Sequence, residues 1–227
     1  MNQNYRDLKI YGQGSTSGGK FKNVIIKGSG QIKGDMECNN LKIYGDGQFD
    51  GNLKVEDNIN IKGKTEFNGE IKAKKFKIQG EVQVKGEIFA DDTSITGNIT
   101  TDNDFNAETF TSEGGFTING LLNADQIKIN IYWPCKVHEI GCSEIKVKKD
   151  VKMSFLGLKD MIKPVCSNKI LTADIIEGDL IYLENTNAKI VRGNNVTIGT
   201  GCKIELVEYK ESFKKDEKSI VDKNNKI

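Results

Sequence analysis

The sequence predicts an all-β fold, a single-stranded β-helix (β-solenoid) with turns of about 17 residues. Three observations carry this expectation. Glycines recur at a nearly fixed interval, apolar residues between them fall on every second position, and the spacing of a helix is absent.

The glycine register comes first. Five-residue blocks end at Gly12, Gly28, Gly45, Gly63 and Gly80, among them Leu8-Lys-Ile-Tyr-Gly12, Leu41-Lys-Ile-Tyr-Gly45 and Phe76-Lys-Ile-Gln-Gly80. Degraded copies follow at Gly97 and Gly114, and successive steps are 16, 17, 18, 17, 17 and 17 residues. A second series, Gly34, Gly51, Gly69, Gly86 and Gly120, steps by 17, 18, 17 and 34. Glycine at corners is expected to supply positive φ without strain.

Between the glycines three inward columns are legible. Ile32, Phe49, Phe67, Val84 and Ile118 form one, and Met36, Leu53, Ile71, Ile88, Phe105 and Leu122 a second. A column of small residues follows, Cys38, Val55, Ala73, Ala90, Ala107 and Ala124. Period two means strands with one face buried. Each turn therefore reads as about three short strands, and stacked turns merge their inward columns into one core. About eleven turns give a rod of roughly 50 Å at the strand spacing.

The expected organisation has four parts. Residues 1–149 are turns of about 17 residues, 150–169 an irregular insertion, 170–209 turns of about 15, and 210–227 a charged tail or cap. The shorter period rests on Ala173-Asp-Ile-Ile-Glu-Gly178 matching Ala188-Lys-Ile-Val-Arg-Gly193.

Composition narrows the function. With 24 glycines and only 2 prolines in 227 residues, the chain is neither collagen nor a disordered linker. A net charge of +1 gives no general electrostatic case for nucleic acid or an anionic membrane. The apolar run at 129–133 is far too short to span a membrane, and the first residues lack a signal peptide, so a cytoplasmic protein is expected. Five cysteines, an odd number without a CxxC pair, read as reduced thiols, mostly in the core.

Chemistry-bearing constellations are scarce. The single histidine, His138, lies at an outward position while Cys142 points inward, so the two do not converge on a metal. The segment 12–19 is glycine-rich but lacks the Gly-Lys-Ser/Thr ending of a phosphate loop. Carboxylates do not stack at matching positions of successive turns, as a glycosidase or lyase groove requires. No catalytic residue, cofactor or metal is expected. Tyr132, Trp133 and Pro134 form either an exposed aromatic spot or a surface packed on the irregular segment.

The Leu41-Lys-Ile-Tyr-Gly45 and Phe76-Lys-Ile-Gln-Gly80 blocks, the step near 17, and the segment 192–199 resemble the bactofilins, polymer-forming cytoskeletal proteins, in particular the longer Gram-positive type. The resemblance implies a right-handed β-helix, nucleotide-free end-to-end assembly, and a scaffolding role in which envelope-associated proteins are partners. The helix here is longer, is interrupted at 150–169 and starts without an apolar anchor, which argues against membrane attachment.

Strands at the ends of a β-helix leave backbone groups unpaired and invite pairing. Self-association through these edges makes Leu8, Ile10, Val24 and Ile26 the candidates at one end. Ile204, Leu206 and Val207 are the candidates at the other, unless the segment after Lys210 folds over them. Two alternatives compete: a non-polymeric module that binds protein through the rod's flank, and a left-handed β-helix acyltransferase. The latter is suggested by the hexapeptide-like segment 196–204, though only one histidine is present to serve it.

Overall fold

The computed structural model describes residues 5–149 and 169–227, in which fifteen strands form one parallel sheet wound into a β-solenoid of about 11 turns. The expected insertion at 150–169 falls, except for Lys169, outside the described residues. No helix occurs among the described residues.

Each turn has three faces. Four-residue strands, Asp46–Phe49, Lys64–Phe67, Glu81–Val84 and Asn98–Thr101, stack as the first face. The longer strands Leu53–Ile61, Ile71–Ile78, Ile88–Ile95 and Phe105–Ser112 each bend midway and supply the second and third. The bend shows as a register break between Cys38 and Asn40 and between Val55 and Asn58. From Gly115–Ile131 onward one continuous strand rounds several faces in each turn.

The core is the set of inward columns. Phe49 stacks on Phe67 with ring centroids 4.8 Å apart, while Phe110 meets Phe105 and Phe116 edge-on at 5.3 and 5.4 Å. Each of these rings is at most 1 % exposed, and burying one contributes about 1.5–3 kcal/mol. Thr101 takes the place between Val84 and Ile118 in the first column. Its hydroxyl donates toward the Gly86 and Asn103 carbonyls, so the buried oxygen has partners.

The glycine columns have the expected cause in the first turns and a different one further along. Positive φ occurs at Gly12, Gly19, Gly28, Gly34 and Gly201 but not at the corners from Gly45 to Gly120. There the constraint is steric. A methyl group at Gly63 would lie 1.8 Å from the Gly45 carbonyl oxygen, and one at Gly97 2.0 Å from that of Gly80. Turns at the strand spacing bring backbone directly over backbone at this corner, and only hydrogen fits between.

The stack continues across the gap in sequence: Cys135 pairs with Leu171, Ile140 with Ile176 and Cys142 with Gly178. The next two turns pair Ala173 with Ala188 and Ala188 with Ile204. Residues beyond 210 lie in two strands, Lys203–Lys215 and Ile220–Lys226, the second in parallel register with the first. Ser219 holds this last turn in place, donating to the Gly199 carbonyl at 2.5 Å and accepting from Cys202 N–H at 2.9 Å.

Candidate assembly edges

The first turn is built by Leu8 and Ile10 on the third face. Lys22 N–H donates to the Arg6 carbonyl at 3.0 Å, and the Asn23 side chain donates to Asp7 at 3.0 Å. These bonds place residues 8–10 on the outer side of Val24 and Ile26. Leu8 is half-buried and Ile10 8 % exposed, whereas Val24 and Ile26 are fully buried one turn further in. Only two of the four expected residues at this end therefore sit on the outermost turn. Beside them Tyr11 is 62 % exposed, with the Lys27 ammonium 5.8 Å from its ring.

At the other end the expected residues are interior. Ile204, Leu206 and Val207 pair on one side with Ala188, Ile190 and Val191, and on the other with Val221, Lys223 and Asn224. The segment after Lys210 does fold over them, because Ser219 and Val221 repeat Cys202 and Ile204 at a spacing of 17. That spacing was the missed signal, hidden by the charged residues around it. The outer strand here is Ile220–Lys226, beside half-buried Phe213, whose ring stacks on Tyr209 at 5.5 Å.

The flanks between the ends carry ladders of matched polar groups. Asn58 donates to Asn40 at 3.0 Å and Asn40 to Asn23 at 3.2 Å, which continues to Asp7. Ion pairs join successive turns, among them Lys20–Glu37 at 2.7 Å and Lys189–Asp174 at 2.9 Å. The hydrogen bond from Lys189 holds the Asp174 carboxyl below its ordinary range. His138 is on the surface, its Nε2 3.5 Å from Asp174 Oδ2, while Cys142 turns inward with its thiol donating to the Glu177 carbonyl. Burial pushes the Cys38, Cys135 and Cys142 thiols up to about 12. Among the described residues no three His, Cys, Asp or Glu side chains come together as a metal site. Trp133 is 53 % exposed at the corner after residue 131. No helix among the described residues is long and apolar enough to cross a membrane.

A family model described as bactofilin, polymer-forming cytoskeletal, matches residues 3–89. The chain is similar along nearly its whole length to two proteins of Bacillus subtilis (strain 168). Uncharacterized protein YhbE is 39 % identical over 237 residues, covering 97 % of this chain and 98 % of YhbE. Uncharacterized protein YhbF is 34 % identical over 239 residues, covering 97 % of each. No solved structure matches. Stacked turns, inward columns and these similarities agree: the chain belongs to the bactofilin family of polymer-forming cytoskeletal proteins.

Proposed function

We propose that this protein is a non-enzymatic scaffold subunit of the cytoplasm that self-assembles end to end, each rod adding its outer turn to the outer turn of the next. The observation that carries this reading is the outermost turn at Leu8 and Ile10. Their side chains continue the inward column of Val24 and Ile26, and among the described residues no strand lies on their outer side. Such an edge presents a row of backbone donors and acceptors with apolar residues behind it, and a second copy satisfies both. The strand Ile220–Lys226, with Phe213 beside it, is the corresponding surface at the other end. Contacts of this kind do not close on themselves when unlike ends meet, and they then produce fibres. Membership of a polymer-forming family supports the same reading.

Negative-stain electron microscopy of the purified chain at micromolar concentration, without nucleotide, tests it. Thin unbranched filaments are expected, and Leu8→Lys should shorten them sharply, with circular dichroism confirming that the variant keeps its β signal. Discrete particles from the wild-type chain, or filaments of unchanged length from folded Leu8→Lys, would overturn the proposal.

A further inference from the structure

The basic side chains are sorted by face. On the first and second faces several of them pair with acids on the same or neighbouring turns: Lys64 with Glu81 at 3.5 Å, Lys85 with Glu66 at 2.9 Å, and Arg192 with both Glu177 and Glu208. The third face departs from this pattern. From Asn40 to Lys214 its two outward columns hold six lysines, Lys42, Lys75, Lys77, Lys128, Lys146 and Lys214, against two acids, Asp92 and Glu144. Six minus two leaves +4 on one face of a chain whose formal total is +1. None of the six lysines forms an ion pair among the described residues. Asp92 is already engaged, accepting from the Thr109 hydroxyl at 2.6 Å.

We propose that the third face docks on the surface of an anionic lipid bilayer, the rod lying along the membrane. Four features favour a bilayer. The lysines are spread over most of the length of the rod, so a plane meets all of them, whereas a nucleic-acid duplex of the same charge is a cylinder and touches a broad face along one line. Every one of the six cations is lysine, whose long apolar stem lies along a surface while its ammonium reaches the headgroups. The forked guanidinium that reads phosphate bidentately is absent from these columns. Apolar and amphipathic side chains are interspersed: Leu180 is 49 % exposed, Tyr182 is half-buried beside Lys146, and Tyr44 is 42 % exposed at the margin. Tyrosine of this kind favours the bilayer interface. Attraction to anionic headgroups is worth about fivefold in binding for each lysine near the surface, and it decays within a Debye length. The mode needs neither a spanning segment nor a terminal anchor, and it does not depend on end-to-end assembly.

Flotation of the full-length chain with vesicles is the test, using phosphatidylcholine alone and phosphatidylcholine mixed with phosphatidylglycerol, at low and high salt. Binding to the anionic vesicles at low salt is expected, with loss at high salt. The variant Lys75→Gln/Lys77→Gln/Lys128→Gln/Lys146→Gln should partition several hundredfold more weakly, at about fivefold per lysine. A charge-matched control on the first face, Lys64→Gln/Lys85→Gln/Lys136→Gln/Lys203→Gln, should stay within about threefold of wild type by the same additive reasoning. Circular dichroism checks both folds. Absence of salt-dependent binding to the anionic vesicles, equal loss in the two variants, or tighter binding to duplex DNA than to the vesicles would overturn the assignment.

Discussion

Glycine at the corners and cysteine in the core show what a residue's neighbours one turn away demand. Gly63→Ala forces a methyl against the Gly45 carbonyl and should destabilise by about 1–3 kcal/mol, the cost of overpacking. Gly141→Ala meets nothing closer than 3.6 Å and should be nearly neutral. Equal denaturation midpoints for the two variants would remove the steric account. The buried thiols make a second prediction. Below the ordinary thiol value of 9.0 both folded and unfolded chains keep the proton; between there and about 12 only the folded chain does. The unfolded state then binds fewer protons, so stability falls as pH rises through that window. A urea series from pH 8 to 11 should show the fall, and Cys38→Ala should make it shallower. Alkylation of Cys38 and Cys135 in the native protein should also be slow at pH 8, since the thiolate is the reactive form.

Strands and their ladders were the most legible elements. Met36 to Leu122 and Cys38 to Ala124 could be read as columns because period two survives any step between turns, and the register of Leu53 on Ile71 and Val55 on Ala73 follows them. The corners from Gly45 to Gly120 were legible as positions but not in cause. Sequence shows that Gly45 is glycine, whereas the carbonyl that excludes a side chain belongs to a residue 17 positions earlier, and its distance is a property of the stack. The last strand was obscured for another reason. Residues 220–226 are mostly charged or polar, and burial supports them less than register does. Polar ladders add their own cohesion. Asn40 donates to Asn23 and accepts from Asn58, so Asn40→Ala severs two bonds in one substitution. We expect a loss of about 1 kcal/mol in urea denaturation, given partial solvent access. An unchanged midpoint would mean that water replaces the ladder at no cost.

At the scale of the molecule, stability is a sum over turns and their nearest neighbours. The turns at either end have one neighbour each, so opening should start there. Hydrogen exchange should find amides around Phe76 and Val84 protected about a hundredfold more than those around Ile10 and Val221. Uniform protection along the rod would contradict nearest-neighbour energetics. The family and the fold could both be approached from sequence. Which residues lie on the outermost described turn was half legible, at Leu8 and Ile10, because which turn lies outermost depends on three-dimensional order. Charge sorting was invisible. A net charge of +1 averages a third face carrying +4 with a rest of the chain carrying −3 (+1 minus +4), and only the winding of the chain assigns each lysine to its side.

The pairing of Cys135 with Leu171 has a consequence for how such a rod changes size. Two residues 36 positions apart take neighbouring places in the stack, and the ladder of described residues keeps its register on both sides of that step. Material enters or leaves a solenoid of this kind in two ways, outward at a corner or as a whole turn. Neither alters the cross-section. Its length is therefore quantised in increments of about 4.8 Å, and gain or loss of a repeat makes the rod a molecular ruler whose graduations are single turns of backbone.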